Sequence, residues 1–197
     1  MRTTALDKTS ALSPATRCTA FRSKLPNMPK TSSVQLPRIP PIVPTIRHQP
    51  FNDPAWVFEP KYDGFRGMVY LSRKSCTLYS KKRNVFSRFD ELRRDICAEL
   101  PRAEVILDGE IVAIDDEGRI DFWGLMRGQG HVHFAAFDIL WLNGRDLRHL
   151  PLTQRKRRLS KLIPVTTGTL STFMTVEGRG CDLFEAVCRA DFEGMGL

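Results

Sequence analysis

The sequence predicts an α+β domain, built of mostly antiparallel sheets with flanking helices, behind a long tail that does not fold with it. Three observations predict this. Runs rich in β-branched and aromatic residues recur over 56–59, 67–71, 76–80, 104–114 and 132–142. The connections between them are short, which favours antiparallel pairing over helical crossovers. Between and after them, residues 89–100, 153–163 and 182–190 place apolar side chains at helical spacing.

The tail comes first. Residues 1–50 hold eight of the thirteen prolines, and eight Lys/Arg against a single acid, Asp7. Such a stretch cannot bury a core, so residues 1–36 are expected to be a disordered basic, Pro/Ser/Thr-rich tail. It is either an arm for phosphate backbone or a solvated stretch without a role. Its composition also matches an organelle transit peptide lacking the amphipathic stripe, or an upstream start with Met28 as the true first residue. Spaced prolines over 37–54 predict an extended lead-in laid along the domain, and 55–197 the domain itself. The net charge is +8, of which the first 50 residues carry +7, so the pI of about 9.5 describes the tail rather than the fold.

Within the domain, Ser87-Arg-Phe-Asp opens the first helix, whose stripe is Phe89, Leu92, Ile96 and Leu100. The strand over 104–114 turns at Asp115-Asp-Glu-Gly118 into a hairpin partner over 119–122. Thr153 is expected to cap a helix through Ile163, and Asp182 with Glu185 one through Ala190. No apolar run reaches the roughly 18 residues a membrane span needs. The five cysteines are odd in number and form no CxxC pair, which argues against a disulfide framework and a structural zinc site and fits a reducing cytosol.

Four segments carry chemistry. In Glu59-Pro-Lys61-Tyr-Asp63-Gly64-Phe-Arg66, a lysine follows a strand and a proline and precedes an Asp-Gly turn, which could hold its amine at a sheet edge. A lysine is nucleophilic only when deprotonated, through desolvation or a neighbouring cation. In Leu107-Asp108-Gly109-Glu110-Ile111, Asp108 and Glu110 share a strand face and repel unless a cation or hydroxyl lies between them; a ribose 2′-OH or Mg²⁺ fits that place. The others are Phe134-Ala-Ala-Phe137-Asp138-Ile-Leu and Phe192-Glu193-Gly194-Met195. His131 and His133 share a strand face but lack a third ligand, and Arg155-Lys-Arg-Arg158 reads as a solvated helix face able to touch DNA phosphate.

In their order and separations these motifs resemble the covalent nucleotidyltransferase superfamily of ATP-dependent DNA ligases, RNA ligases and mRNA capping enzymes. Their context, with Trp141-Leu-Asn-Gly-Arg-Asp-Leu147 and Leu150-Pro-Leu-Thr153, is most similar to ATP-dependent DNA ligases of the bacterial repair type. The resemblance implies an ATP-grasp-like nucleotidyltransferase (adenylation) domain that forms a lysyl-AMP, passes AMP to a 5′-phosphate and seals nicks in double-stranded DNA in the cytoplasm. It implies Lys61 as nucleophile, with Glu59 at the adenine edge and Phe137 stacked on the base. Arg66 would meet ribose or nucleic-acid phosphates, and Asp63 joins the nucleotide-binding set. Glu110 would serve ribose or metal, and Glu193 the catalytic metal, with ATP and Mg²⁺ as cofactors. Lys81, in Ser80-Lys-Lys-Arg83, stands where the family shows a fork-shaped arginine and is a candidate ribose or nucleic-acid contact. Gly196 replaces an apolar strand residue. The fifth motif and an OB-fold are expected after Leu197, so the chain reads as a partial domain. A silent remnant and an RNA-ligase or capping-type enzyme are the rival readings.

Overall fold

The computed structural model describes residues 36–42, 47–73, 75–101, 103–163, 168–190, 192 and 194–196. All lie in one structural unit, Ser33–Leu197. The tail expected over 1–36 falls outside the described residues except for Leu36.

The larger sheet is organised around β4 (Val105–Ile114), the most thoroughly buried strand. On one side it pairs antiparallel with β2 (Phe65–Ser72), which pairs in turn with β3 (Ser75–Ser80). On the other it pairs with β5 (His131–Leu142), which carries β6 (Arg145–Asp146) and, in parallel, β7 (Leu170–Thr172). Alternation along β4 sorts its side chains onto two faces. Val105, Leu107, Ile111 and Ala113 join Phe134, Ile139 and Leu78 in the main core. Helix α1 (Asp90–Glu99) covers that face with Leu92 and Ile96, and Phe89 and Leu100 complete its stripe.

The opposite face holds Met68, Ile106 and Leu140 under Ile39 of the lead-in. Ile39 is 1% exposed. Its N–H donates to the Tyr70 hydroxyl, which donates back to its carbonyl, both at 2.9 Å. Residues 36–42 therefore lie extended along the domain, latched by one side chain.

A second, three-stranded sheet has β1 (Asn52–Lys61) at its centre, between β8 (Val176–Arg179) and β9 (Gly194–Gly196). Helix α4 (Gly180–Arg189) packs Leu183 and Val187 on Phe58 of β1. Among the described residues the fold is thus nine strands and four helices, mixed α+β with antiparallel pairing nearly throughout.

Local expectations shift in instructive ways. Residues 119–122 do not form a hairpin strand beyond one bridge, Ile114 with Ile120. Asp121 instead accepts from the Gly124 N–H and caps α2 (Phe122–Arg127), because an Asx side chain satisfies an orphan helix donor better than a two-residue ladder would. Helix α3 (Leu152–Leu162) starts after Pro151 without a side-chain cap, so Thr153 sits inside its first turn. Asp182 likewise lies in the first turn of α4.

Candidate active site

The site is built on the β4 face turned away from α1. Arg66 stands opposite Glu110 in the β2–β4 register, two pairs along from Met68 opposite Asp108. Its guanidinium reaches diagonally to Asp108, Nε to Oδ1 at 3.0 Å and Nη2 to Oδ2 at 2.7 Å. Arg66 thus supplies a cation to Asp108. Asp108 is fully buried. Burial pushes its carboxyl above the usual range, and the Arg66 fork counters that. Arg66 is therefore braced by a bidentate pair with buried Asp108.

Gly109, between the two acids, has a packing reason. A Cβ there would lie 2.5 Å from the Ala135 carbonyl oxygen and 2.6 Å from Cζ of Phe134. Gly64 is similar, its absent Cβ 2.2 Å from the Ile111 carbonyl oxygen, which lets the Asp63-Gly64 turn press against β4.

Phe137 reaches this face through a β-bulge. Strand β5 slips against β4 twice, so Asp108 faces Asp138 while Gly109 faces Ala136, and Phe137 is the extra residue between. Plain alternation would send Phe137 and Asp138 to opposite faces. The bulge lets both serve the site: the Arg66 guanidinium carbon sits 5.1 Å from the Phe137 ring centre, and Asp138 stands opposite Asp108. Phe137 also meets Phe173 edge-on at 5.5 Å.

Helix α3 supplies two residues that its charged sequence disguised. Arg155 is nine-tenths buried, corrects the solvated-face reading, and grips Asp138 with Nε at 2.8 Å and Nη2 at 2.9 Å. Lys156 donates Nζ to the Phe137 carbonyl at 2.6 Å and forms an ion pair with Oε1 of Glu59. Burial raises the Glu59 carboxyl above its ordinary value, with Lys156 opposing. The stripe Leu152, Arg155, Leu159 and Leu162 puts Arg155 on the apolar side of α3, a signal present in the sequence.

Lys61 ends β1 opposite Gly194, with an exposed side chain. It is thus the last residue of the central strand of the small sheet. Its neighbours on both sides reach the Phe137 cluster. Glu59 does so through Lys156, and Tyr62 through Phe173, ring centres 4.3 Å apart. Asp63 is exposed and Glu110 half-buried on the site face. Lys81 is exposed in the turn after β3. Glu193 lies outside the described residues, between Phe192 and Gly194.

Over residues 42–195 the chain matches the family model described as ATP dependent DNA ligase domain. It belongs to that family. This ligase domain is 33% identical over 144 residues to the multifunctional non-homologous end joining protein LigD of Mycolicibacterium smegmatis, covering 71% of this chain and 18% of that protein. It is 30% identical over 183 residues to DNA ligase C of Mycobacterium tuberculosis, covering 83% of this chain and 50% of that protein. Among solved structures it is similar to a mycobacterial DNA ligase D complexed with ATP and MES, with a TM-score of 0.62 and 28% identity over 71% of this chain and 46% of that one. The ligase domain spans half or less of the length of these relatives.

Proposed function

We propose that this chain binds ATP on the β4–β5 face and transfers AMP to Lys61, as the first half of a DNA-sealing reaction. The observation that supports the reading best is the flanking of Lys61. Glu59 before it and Tyr62 after it are both tied to the Phe137 cluster, so the segment carrying Lys61 is anchored to a half-buried aromatic suited to stack a base.

In this reading Phe137 stacks the adenine and Glu59 accepts from its exocyclic amine. Arg66, braced by Asp108 and beside Phe137, is suited to meet the ribose or the nucleic-acid phosphates. The deprotonated Lys61 Nζ attacks the α-phosphorus, an N–P bond forms, and the bond to pyrophosphate breaks. A 5′-phosphate oxygen at a nick then displaces the lysine from AMP, and the neighbouring 3′-OH displaces AMP to close the strand. Glu110 is the described residue suited to Mg²⁺, a cation that takes one or two carboxylates together with substrate phosphates; Glu193 is the second acid proposed for it. Mg²⁺, when bound, neutralises charge on the phosphates. Lys81 and Asp63 are exposed and suited to ribose or nucleic-acid contact rather than to the base pocket. Nicked double-stranded DNA is the proposed partner, since the relatives are named as DNA ligases and end-joining proteins. Among the described residues, Cys76, Cys97, Cys181 and Cys188 are free thiols and no helix is long and apolar enough to cross a membrane, in keeping with a cytoplasmic site of action.

The test is incubation with Mg²⁺ and ATP labelled at the α-phosphate, beside a Lys61→Ala control. Covalent label on the parent alone supports the reading. Label on neither makes the chain a silent relative, and label with GTP instead of ATP makes it capping-like.

A further inference from the structure

The Glu59–Lys156 pair is an expensive thing to place where it is. Both side chains are largely out of water, with relative exposures of 15% and 13%. A buried ion pair is a weak source of stability, because desolvation offsets most of its Coulomb attraction. Such pairs persist where one member's charge is used.

The geometry shows what Lys156 is positioned to do. Its neighbour Arg155 pins the first turns of α3 to the sheet through both Asp138 oxygens, and at 2.6 Å to the Leu150 carbonyl just before the helix. The backbone of residue 156 is thereby fixed over β5. From there one ammonium spans two groups from different strands, the Phe137 carbonyl of β5 and the Glu59 carboxylate of β1. Those are the main chain of the proposed stacking residue and the side chain of the proposed base-edge acceptor.

We propose that Lys156 is a positioning residue that sets the base preference of the site, by holding Glu59 ionised and aimed at the nucleobase edge above Phe137. The proposal rests on the ATP-binding reading above. An ionised carboxylate accepts from the adenine 6-amino group and repels the guanine 6-oxo group in the same place. Without Lys156, burial favours the protonated form of the Glu59 carboxyl, and a protonated carboxyl donates to a 6-oxo group. Discrimination then falls, not merely affinity. A hydrogen bond to a charged acceptor is worth about 10- to 100-fold in binding.

The experiment uses the full chain and two probes that cannot be cleaved at the α–β bond, the α,β-methylene analogues of ATP and GTP, titrated calorimetrically. The parent is expected to favour the adenine analogue about tenfold or more. Lys156→Met should remove most of that ratio, Lys156→Arg should keep most of it, and Glu59→Gln should lose it with no further loss on adding Lys156→Met. Lys156→Gln keeps an amide donor for the Phe137 carbonyl without the charge, and separates preference from folding if the methionine variant melts early. Equal weakening of both analogues in a folded Lys156→Gln or Lys156→Met variant makes the lysine a structural tie and overturns the inference alone. A parent that binds neither analogue, or both equally, overturns the base-edge reading of Glu59 and this inference with it.

Discussion

Replacing Arg155 by methionine should destabilise the domain by about 3–5 kcal/mol, the range for removing one partner of a buried ion pair. The side chains of Arg155 and Asp138 are 11% and 5% exposed. Methionine preserves much of the aliphatic volume but removes the bonds to Asp138 at 2.8 and 2.9 Å and the bond to the Leu150 carbonyl at 2.6 Å. Among the described residues, Asp138 would keep only the Ile139 N–H at 2.8 Å as a donor, while facing buried Asp108 across the ladder. The loss therefore reflects a stranded buried charge more than a missing attraction. In a domain of this size 1 kcal/mol lowers Tm by about 2–4 °C, so the fall should be roughly 6–20 °C. Urea denaturation followed by circular dichroism measures it, together with Asp138→Asn alone and combined with Arg155→Met. A neutral amide is cheaper to bury, so the double variant should recover much of the loss. An Arg155→Met variant within about 1 kcal/mol of the parent, or costs that simply add in the double variant, would refute the reasoning.

Other perturbations probe the neighbouring parts. Phe137→Ala should weaken ATP binding by about 1–3 kcal/mol, the range for base stacking, with Phe137→Trp near the parent; unchanged affinity in the alanine variant removes Phe137 from the base site. Gly109→Ala should destabilise by about 1–3 kcal/mol as the new methyl meets the Phe134 ring and the Ala135 carbonyl, whereas Gly196→Ala, with nothing within 4 Å, should be close to neutral in the same melt. Burial pushes the Cys76 thiol up to about 11, so at pH 8 only about one molecule in a thousand carries its thiolate. Ellman's reagent should label exposed Cys188 in the native protein and reach Cys76 only on unfolding; native-state labelling of Cys76 contradicts its buried placement.

Much of this was legible in the sequence where a residue's neighbours along the chain decide its environment. The stripe of Phe89, Leu92, Ile96 and Leu100 needs only helical period, and the run over 104–114 needs only its apolar density. What escaped depends on partners distant in sequence. Strand β1 begins at Asn52 because β8, more than a hundred residues later, pairs with that end. The bulge that turns Phe137 to the site face exists only as a mismatch between β4 and β5. Arg155 and Lys156 look like surface charge because a single helix does not reveal that Asp138 and Glu59 wait beneath it. Nor does the sequence show that Asp108 braces Arg66 from the neighbouring strand. The motif residues were found because their order resembles a family, while the contacts that bind them to one another came from the fold.

The central claim is that the Lys61 amine takes AMP from ATP. Mass-spectrometric mapping of peptides after incubation with Mg²⁺ and ATP, under alkaline handling that preserves an acid-labile N–P bond, tests it most directly. The account predicts an adenylyl adduct on the peptide carrying Lys61, missing from the Lys61→Ala protein. An adduct on any other lysine, or one that survives in the alanine variant, would contradict it.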